Sequence, residues 1–182
     1  MNMPLSHDRD VSALQLPTLL GANVIRVDGA LDCVSKKVRY LHEAWLRMAG
    51  GEPPPDWSQF DIVEHTPVVA NLYLIKRTAP REWTYTLRGE GVHEIFPRDK
   101  AAGRVADLHD AKTAAELLDY YETVAATGCC HVVRGTIIND RDDHVDIESI
   151  DCPFTDRRHG RHVILGVIER VATRPMPPLL DR

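Results

Sequence analysis

The chain has 182 residues, 43% of them hydrophobic and 27% charged, the make-up of one globular domain with extensions rather than of a disordered or fibrous chain. Its 27 acidic side chains outnumber 22 basic ones for a formal net charge of -5, so no broad cationic field awaits a phosphate backbone and no nucleic-acid partner is expected. No apolar run approaches the roughly 18 residues that span a bilayer, and the polar start through Asp8-Arg9-Asp10 does not read as a signal peptide; the expectation is a cytoplasmic protein without membrane contact.

Residues 1–30 show no sustained period and are broken by Pro4, Pro17, Gly21 and Gly29, so they read as a flexible N-terminal extension, and the domain proper as residues 31–172. Over residues 33–49, Val34, Val38, Leu41, Trp45 and Met48 recur at steps of four and three, which predicts an amphipathic α-helix. Gly50-Gly51 ends it and Pro53-Pro54-Pro55 forbids its continuation. The stripe must cover either the domain's own sheet or a second subunit, and it is the expected contact of a homodimer.

Residues 68–77 and 82–89 read as two strands joined by Thr78-Ala79-Pro80-Arg81, a hairpin-length connection. In the second strand Trp83, Tyr85 and Leu87 alternate with Thr84, Thr86 and Arg88, which gives it one buried face and one wet face. Gly89-Glu90-Gly91 lacks the third glycine and the strand-to-helix setting of a dinucleotide loop, so it reads as backbone freedom at a strand end. A longer helix follows, capped by Asp110, with Ala114, Leu117, Leu118, Tyr121, Val124 and Ala125 on its apolar face and Gly128 as its stop.

Residues 131–139, 144–154 and 161–171 form a three-strand antiparallel meander. Its first connection, Asp140-Arg141-Asp142-Asp143, lacks the glycine and terminal glutamate of a calcium loop and reads as a solvated turn. In the middle strand Val145 and Ile147 share one parity, while Ile150, Cys152 and Phe154 share the other; a bulge or a change of burial near Glu148-Ser149 reconciles them. The last strand is apolar on both sides and is expected to be central. Residues 173–182 carry Pro175, Pro177 and Pro178 and read as a tail. The fold class is therefore α+β: a five-stranded antiparallel sheet with helices on one face and an N-terminal amphipathic helix.

The order of these segments resembles the family of short, stand-alone bacterial PAS-like proteins over roughly residues 38–171. The resemblance rests on Trp45-Leu46-Arg47-Met48-Ala49-Gly50-Gly51-Glu52-Pro53, on Tyr85-Thr86-Leu87-Arg88-Gly89-Glu90-Gly91-Val92, on Ala102-Gly103-Arg104, and on Cys152-Pro153-Phe154 before Val163-Ile164-Leu165-Gly166-Val167. One departure is the stretch Pro55-Asp56-Trp57-Ser58-Gln59-Phe60, which lacks the basic residue expected soon after the prolines. The resemblance implies a regulatory module whose curved sheet and short helices enclose a small ligand. It also implies a dimer or signal-relay surface on the outer sheet face or N-terminal helix. With no output segment recognised after residue 172, the expected partner is a separate signalling protein.

The inner-face residues Tyr85, Leu87, Phe96, His109, Leu117, Tyr121, Ile137 and Leu165 are core first and a ligand wall if packing leaves a cavity. His93 and His109 are the histidines nearest such a pocket, but residues 111–127 contain none, which disfavours haem and leaves the cofactor unknown. No cysteine lies between Gly91 and Gly128, which excludes covalent flavin photochemistry. The thiols Cys33, Cys129, Cys130 and Cys152 have no metal-ligand spacing and read as free; Cys129-Cys130 beside His131 is the one alternative redox or metal reading. No catalytic or metal-binding set is present. The rival readings are a small isomerase or hydrolase using Glu148 or Asp151 as a pocket carboxylate, and a ligand-free adaptor with a filled core.

Overall fold

The computed structural model describes residues 19–27, 31–96, 102–138 and 143–172. Strands β1 (Leu19–Val27), β2 (Leu72–Ala79), β3 (Glu82–Arg88), β4 (Gly103–Arg104), β5 (Cys130–Ile138), β6 (His144–Asp156) and β7 (Arg161–Arg170) form one antiparallel sheet in the order β1-β5-β6-β7-β2-β3-β4. The five strands expected from periodicity are all present, and each edge carries one more. β4 adds two residues beside β3.

The added edge β1 corrects the reading of residues 1–30 as wholly an extension. It pairs with β5 from Leu19↔Ile137 to Val27↔Cys130, with a register irregularity between Leu20 and Asn23. Gly21, taken as a breaker in the sequence, falls in that irregularity, where a glycine is at home in a strand. The pairing also covers the backbone groups that β5 would otherwise leave open.

β6 runs in unbroken register against both neighbours, from His144 opposite Ile138 to Asp156 opposite Arg161. The parity change in its sequence is therefore a change of burial and not a bulge. Val145 and Ile147 belong to one core, while Ile150, Cys152 and Phe154 belong to the other, on the opposite face of the sheet.

Helices lie on both faces, the N-terminal helix covering the one that the others leave free. α1 (Lys36–Ala49) packs on β6 and β7, and α2 (Glu90–Ile95), α3 (Val105–Leu108) and α4 (Ala111–Thr127) cover the other side. The apolar doubling of β7 requires this, because Val163, Leu165 and Val167 face α1 while Ile164 and Ile168 face the α4 side.

A buried carboxylate fixes the start of α1. Glu148, 1% exposed, accepts hydrogen bonds from the backbone N–H of Ser35 at 2.6 Å and Val34 at 3.2 Å, and from Arg134 Nε at 2.6 Å. Ser35 caps the helix by accepting from Val38 N and donates its hydroxyl to Glu169 at 2.6 Å. At the far end Gly50 takes the left-handed conformation at φ 57, which a residue with a Cβ resists.

Along the stripe, Val38 and Leu41 are fully buried and Trp45 is 3% exposed, its indole Nε1 donating to the Pro153 carbonyl at 2.7 Å. The expected dimer contact is thereby corrected: Val38, Leu41 and Trp45 are spent on the domain's own sheet, Met48 packs at the edge of that core, and Val34 alone of the five is exposed. Trp45→Ala should lower unfolding free energy by about 3–5 kcal/mol in urea denaturation of the dilute protein. An unchanged midpoint would show that this face lies outside the core.

Candidate functional site

Between the sheet and α2, α3 and α4 lies a cavity of about 400 Å3. Its apolar wall comes from Val92 and Phe96 at α2, Leu108 at the end of α3, Leu117 of α4, Val133 and Ile137 of β5, Ile147 of β6 and Ile168 of β7. Into it also face Tyr73, Tyr85, Tyr120, Tyr121, Ser149 and Asp151, with Arg88, His109, Asp110 and Thr113. α4 owes its position to ordinary caps, with Asp110 accepting from the N–H groups of Lys112 and Thr113, and Gly128 left-handed at φ 63. It is also tied to the β2–β3 hairpin through Glu122, which accepts from Trp83 Nε1 at 3.0 Å and pairs with Arg77 at 2.9 Å.

The polar centre of the cavity is a row across the sheet. Tyr73 on β2 stands opposite Gly166 on β7, and Gly166 stands opposite Asp151 on β6. A Cβ built on Gly166 would collide with the Tyr73 ring. The bare glycine therefore lets that ring lie across β7 and donate its hydroxyl to Asp151 Oδ1 at 2.7 Å. From the helix side Tyr120 donates to Asp151 Oδ2, also at 2.7 Å. Beside them the hydroxyls of Tyr85 and Tyr121 share a hydrogen bond of 2.6 Å.

Asp151 is 2% exposed, and burial pushes its carboxyl pKa from the ordinary 3.8 up to about 6, although the Tyr120 and Tyr73 bonds pull it back toward the charged form. Burial likewise raises Tyr73, Tyr120 and Tyr121 well above the usual phenol value, so their hydroxyls keep their protons and act as donors. Among the described residues no cation lies within ion-pair distance of Asp151. Arg88 instead lays its guanidinium over the Tyr85 ring, 4.0 Å from the centroid.

Six of the eight residues expected at a pocket line this cavity: Tyr85, Phe96, His109, Leu117, Tyr121 and Ile137. Leu87 and Leu165 are corrections, since both pack on the α1 side. For Leu87 the cause is a bulge in β3: Leu74 pairs with Leu87 but the next residue, Ile75, pairs with Tyr85. The extra residue inverts the alternation, turning Leu87 away and bringing Arg88 beside Tyr73 on the cavity side. Leu165 stands opposite Leu74 and shares its outer face.

Of the two carboxylates considered for catalysis, Glu148 points to the α1 side and anchors a helix; Asp151 points into the cavity. Sequence reading missed Tyr73, Tyr120 and Ser149. Ser149 and Asp151 continue the parity of Val145 and Ile147, and two polar residues on an apolar face of a central strand were the available signal. His93 sits on α2 and is not among the lining residues.

The vicinal thiols lie in different surroundings, Cys129 half-buried and Cys130 fully buried. Cys130 meets Cys152 across the strands with sulfurs 3.2 Å apart; both are fully buried, and burial pushes the Cys152 thiol up, away from reactivity. Among the described residues no cluster of metal-ligating side chains occurs. The acidic turn at residues 140–142 lies outside the described residues, as do the tail at 173–182 and the first part of the N-terminal extension. No helix among the described residues is long and apolar enough to cross a membrane.

The family model described as PAS domain matches residues 34–169, and the chain belongs to that family. The solved structure of an RNA-binding light-oxygen-voltage receptor is similar at a TM-score of 0.46 and 11% identity, over 82% of this chain and 38% of that one. No curated protein matches the chain.

The raised Asp151 pKa has a signed consequence for stability. Between the ordinary 3.8 and about 6 the folded state holds a proton that the unfolded chain has released. This contribution is thus complete at acid pH and lost as pH rises through about 6, a loss of about 3 kcal/mol. In paired denaturation curves the stability of the wild type relative to Asp151→Asn should fall by about that amount from roughly pH 4 to roughly pH 7. A difference that stays constant over the range would contradict the buried, unpaired carboxylate.

Proposed function

We propose that the protein is a PAS-type sensory module that binds a small molecule in the cavity between the sheet and α4 and passes its occupancy to a signalling partner. The observation that supports this reading is a cavity of about 400 Å3 with a nearly inaccessible carboxyl group facing into it. That volume falls in the roughly 300–1,000 Å3 range of ligand pockets, and a purely structural core gains nothing by holding an acid at such desolvation cost. The filled core of a ligand-free adaptor does not match this interior. The connection outward is short: Tyr120 carries a change at Asp151 directly to α4, whose other side reaches the β2–β3 hairpin through Glu122. The unbridged cysteines fit a reducing compartment, and we place the protein in the cytoplasm on that ground.

A second reading has one observation in its favour. A carboxyl held at about 6 on the cavity wall is suited to moving a proton on a bound molecule.

Native mass spectrometry of the protein as purified, beside a cavity-filling Ile137→Trp variant, tests the sensory reading. A retained small molecule in the wild type that is absent from the folded variant is the expected result; retention by both would place the ligand elsewhere. If incubation with excess of the recovered molecule returns it chemically changed, the enzymatic reading gains; unchanged recovery supports the sensor.

A further inference from the structure

We propose that the cavity takes an organic cation, an amine or protonated nitrogen heterocycle, whose N–H groups donate to the Asp151 carboxylate while its carbon skeleton lies among the tyrosine rings. This deepens the reading of the cavity as a ligand site and rests on it.

Charge balance is the first ground. Of the fixed charges lining the cavity, Arg88 lies over the Tyr85 ring and Asp110 caps α4, and among the described residues no cation stands within ion-pair distance of Asp151. Each Asp151 oxygen accepts one phenolic hydroxyl and retains a lone pair, so the carboxylate has acceptor capacity left for a further donor. An ammonium or N–H heterocycle supplies both the donor and the missing charge. An anion would add like charge to the same buried site.

Aromatic faces are the second ground. Tyr73, Tyr85, Tyr120 and Tyr121 surround the carboxylate, and the negative face of an aromatic ring attracts a cation most strongly where water is excluded. Arg88 over the Tyr85 ring already shows a cation seated in that way on this wall.

Among the described residues, the groups acting on the Asp151 carboxyl are its two tyrosine donors, with no charged group beside them. From β5 its cross-strand partner is His131, buried, with its ring 6.0 Å from that of Tyr120. From β2 and α4 come Tyr73 and Tyr120, protonated donors. His109 and Asp110 line the cavity at the start of α4.

Three probes of equal size separate the head-group claim from the pocket claim: naphthylmethylammonium, naphthylmethanol and naphthoate, titrated calorimetrically into the native protein. At about pH 8 the ammonium should bind on the order of tenfold more tightly than the alcohol or the carboxylate, the worth of a charge-assisted hydrogen bond. Its advantage over the alcohol should shrink roughly tenfold at about pH 5, where Asp151 is protonated and the ammonium is not altered. Asp151→Asn should erase the preference at both pH values; should that variant not fold, the two pH values on the native protein decide alone. Equal or tighter binding of alcohol or naphthoate, or a preference that survives Asp151→Asn, overturns the cation while leaving the pocket. Binding of none of the three overturns the pocket and the cation together.

Discussion

β6 is buried on both faces over most of its length, and every polar group on it must be satisfied inside the protein. Two carboxylates meet that constraint in opposite ways. Glu148 turns toward α1 and accepts from two backbone N–H groups and an arginine, so its charge is compensated and the start of α1 is fixed. Asp151, three residues on, turns to the other face and receives two phenolic hydroxyls. The first arrangement makes a closed structural unit. The second leaves a charge in search of a partner, at the centre of the cavity.

That asymmetry divides the sheet into two functions. On the α1 side the stripe Val38, Leu41 and Trp45 interlocks with Ile150, Cys152, Phe154 and Leu165 in a continuous apolar core. On the other side the rings of Tyr73, Tyr85, Tyr120 and Tyr121 surround open space. In the sensory reading the packed side holds the sheet rigid while the α4 side responds, because Asp151 is shared by a strand tyrosine and a helix tyrosine. A ligand that draws on the carboxylate competes with both hydroxyls at once.

The sequence made much of this legible, and its failures have physical causes. Apolar spacing located α1, α4 and five strands because each buries one stripe or one face. It could not reveal β1, whose edge position leaves a weak pattern interrupted by Gly21. Nor could it say what α1 covers, since a stripe suited to a sheet is equally suited to a second subunit. The parity argument placed Leu87 wrongly because the β3 bulge inverts the alternation between Tyr85 and Leu87. The polar centre was hidden for another reason: Tyr73, Gly166 and Asp151 are distant in the chain and become a row only through the order β6-β7-β2. Gly166 was legible as part of the family resemblance, but its use, making room for the Tyr73 ring, exists only in three dimensions.

Membership of the PAS domain family fixes the scaffold and leaves the chemistry to the cavity. The account turns on one property, a desolvated carboxyl at Asp151 that no cation among the described residues neutralises. A carbon-13 NMR titration of the Asp151 side-chain carboxyl in the ligand-free protein measures it directly. The account predicts a midpoint of about 6. A midpoint at or below the ordinary 3.8 would contradict it, because the group would then be solvated or already paired.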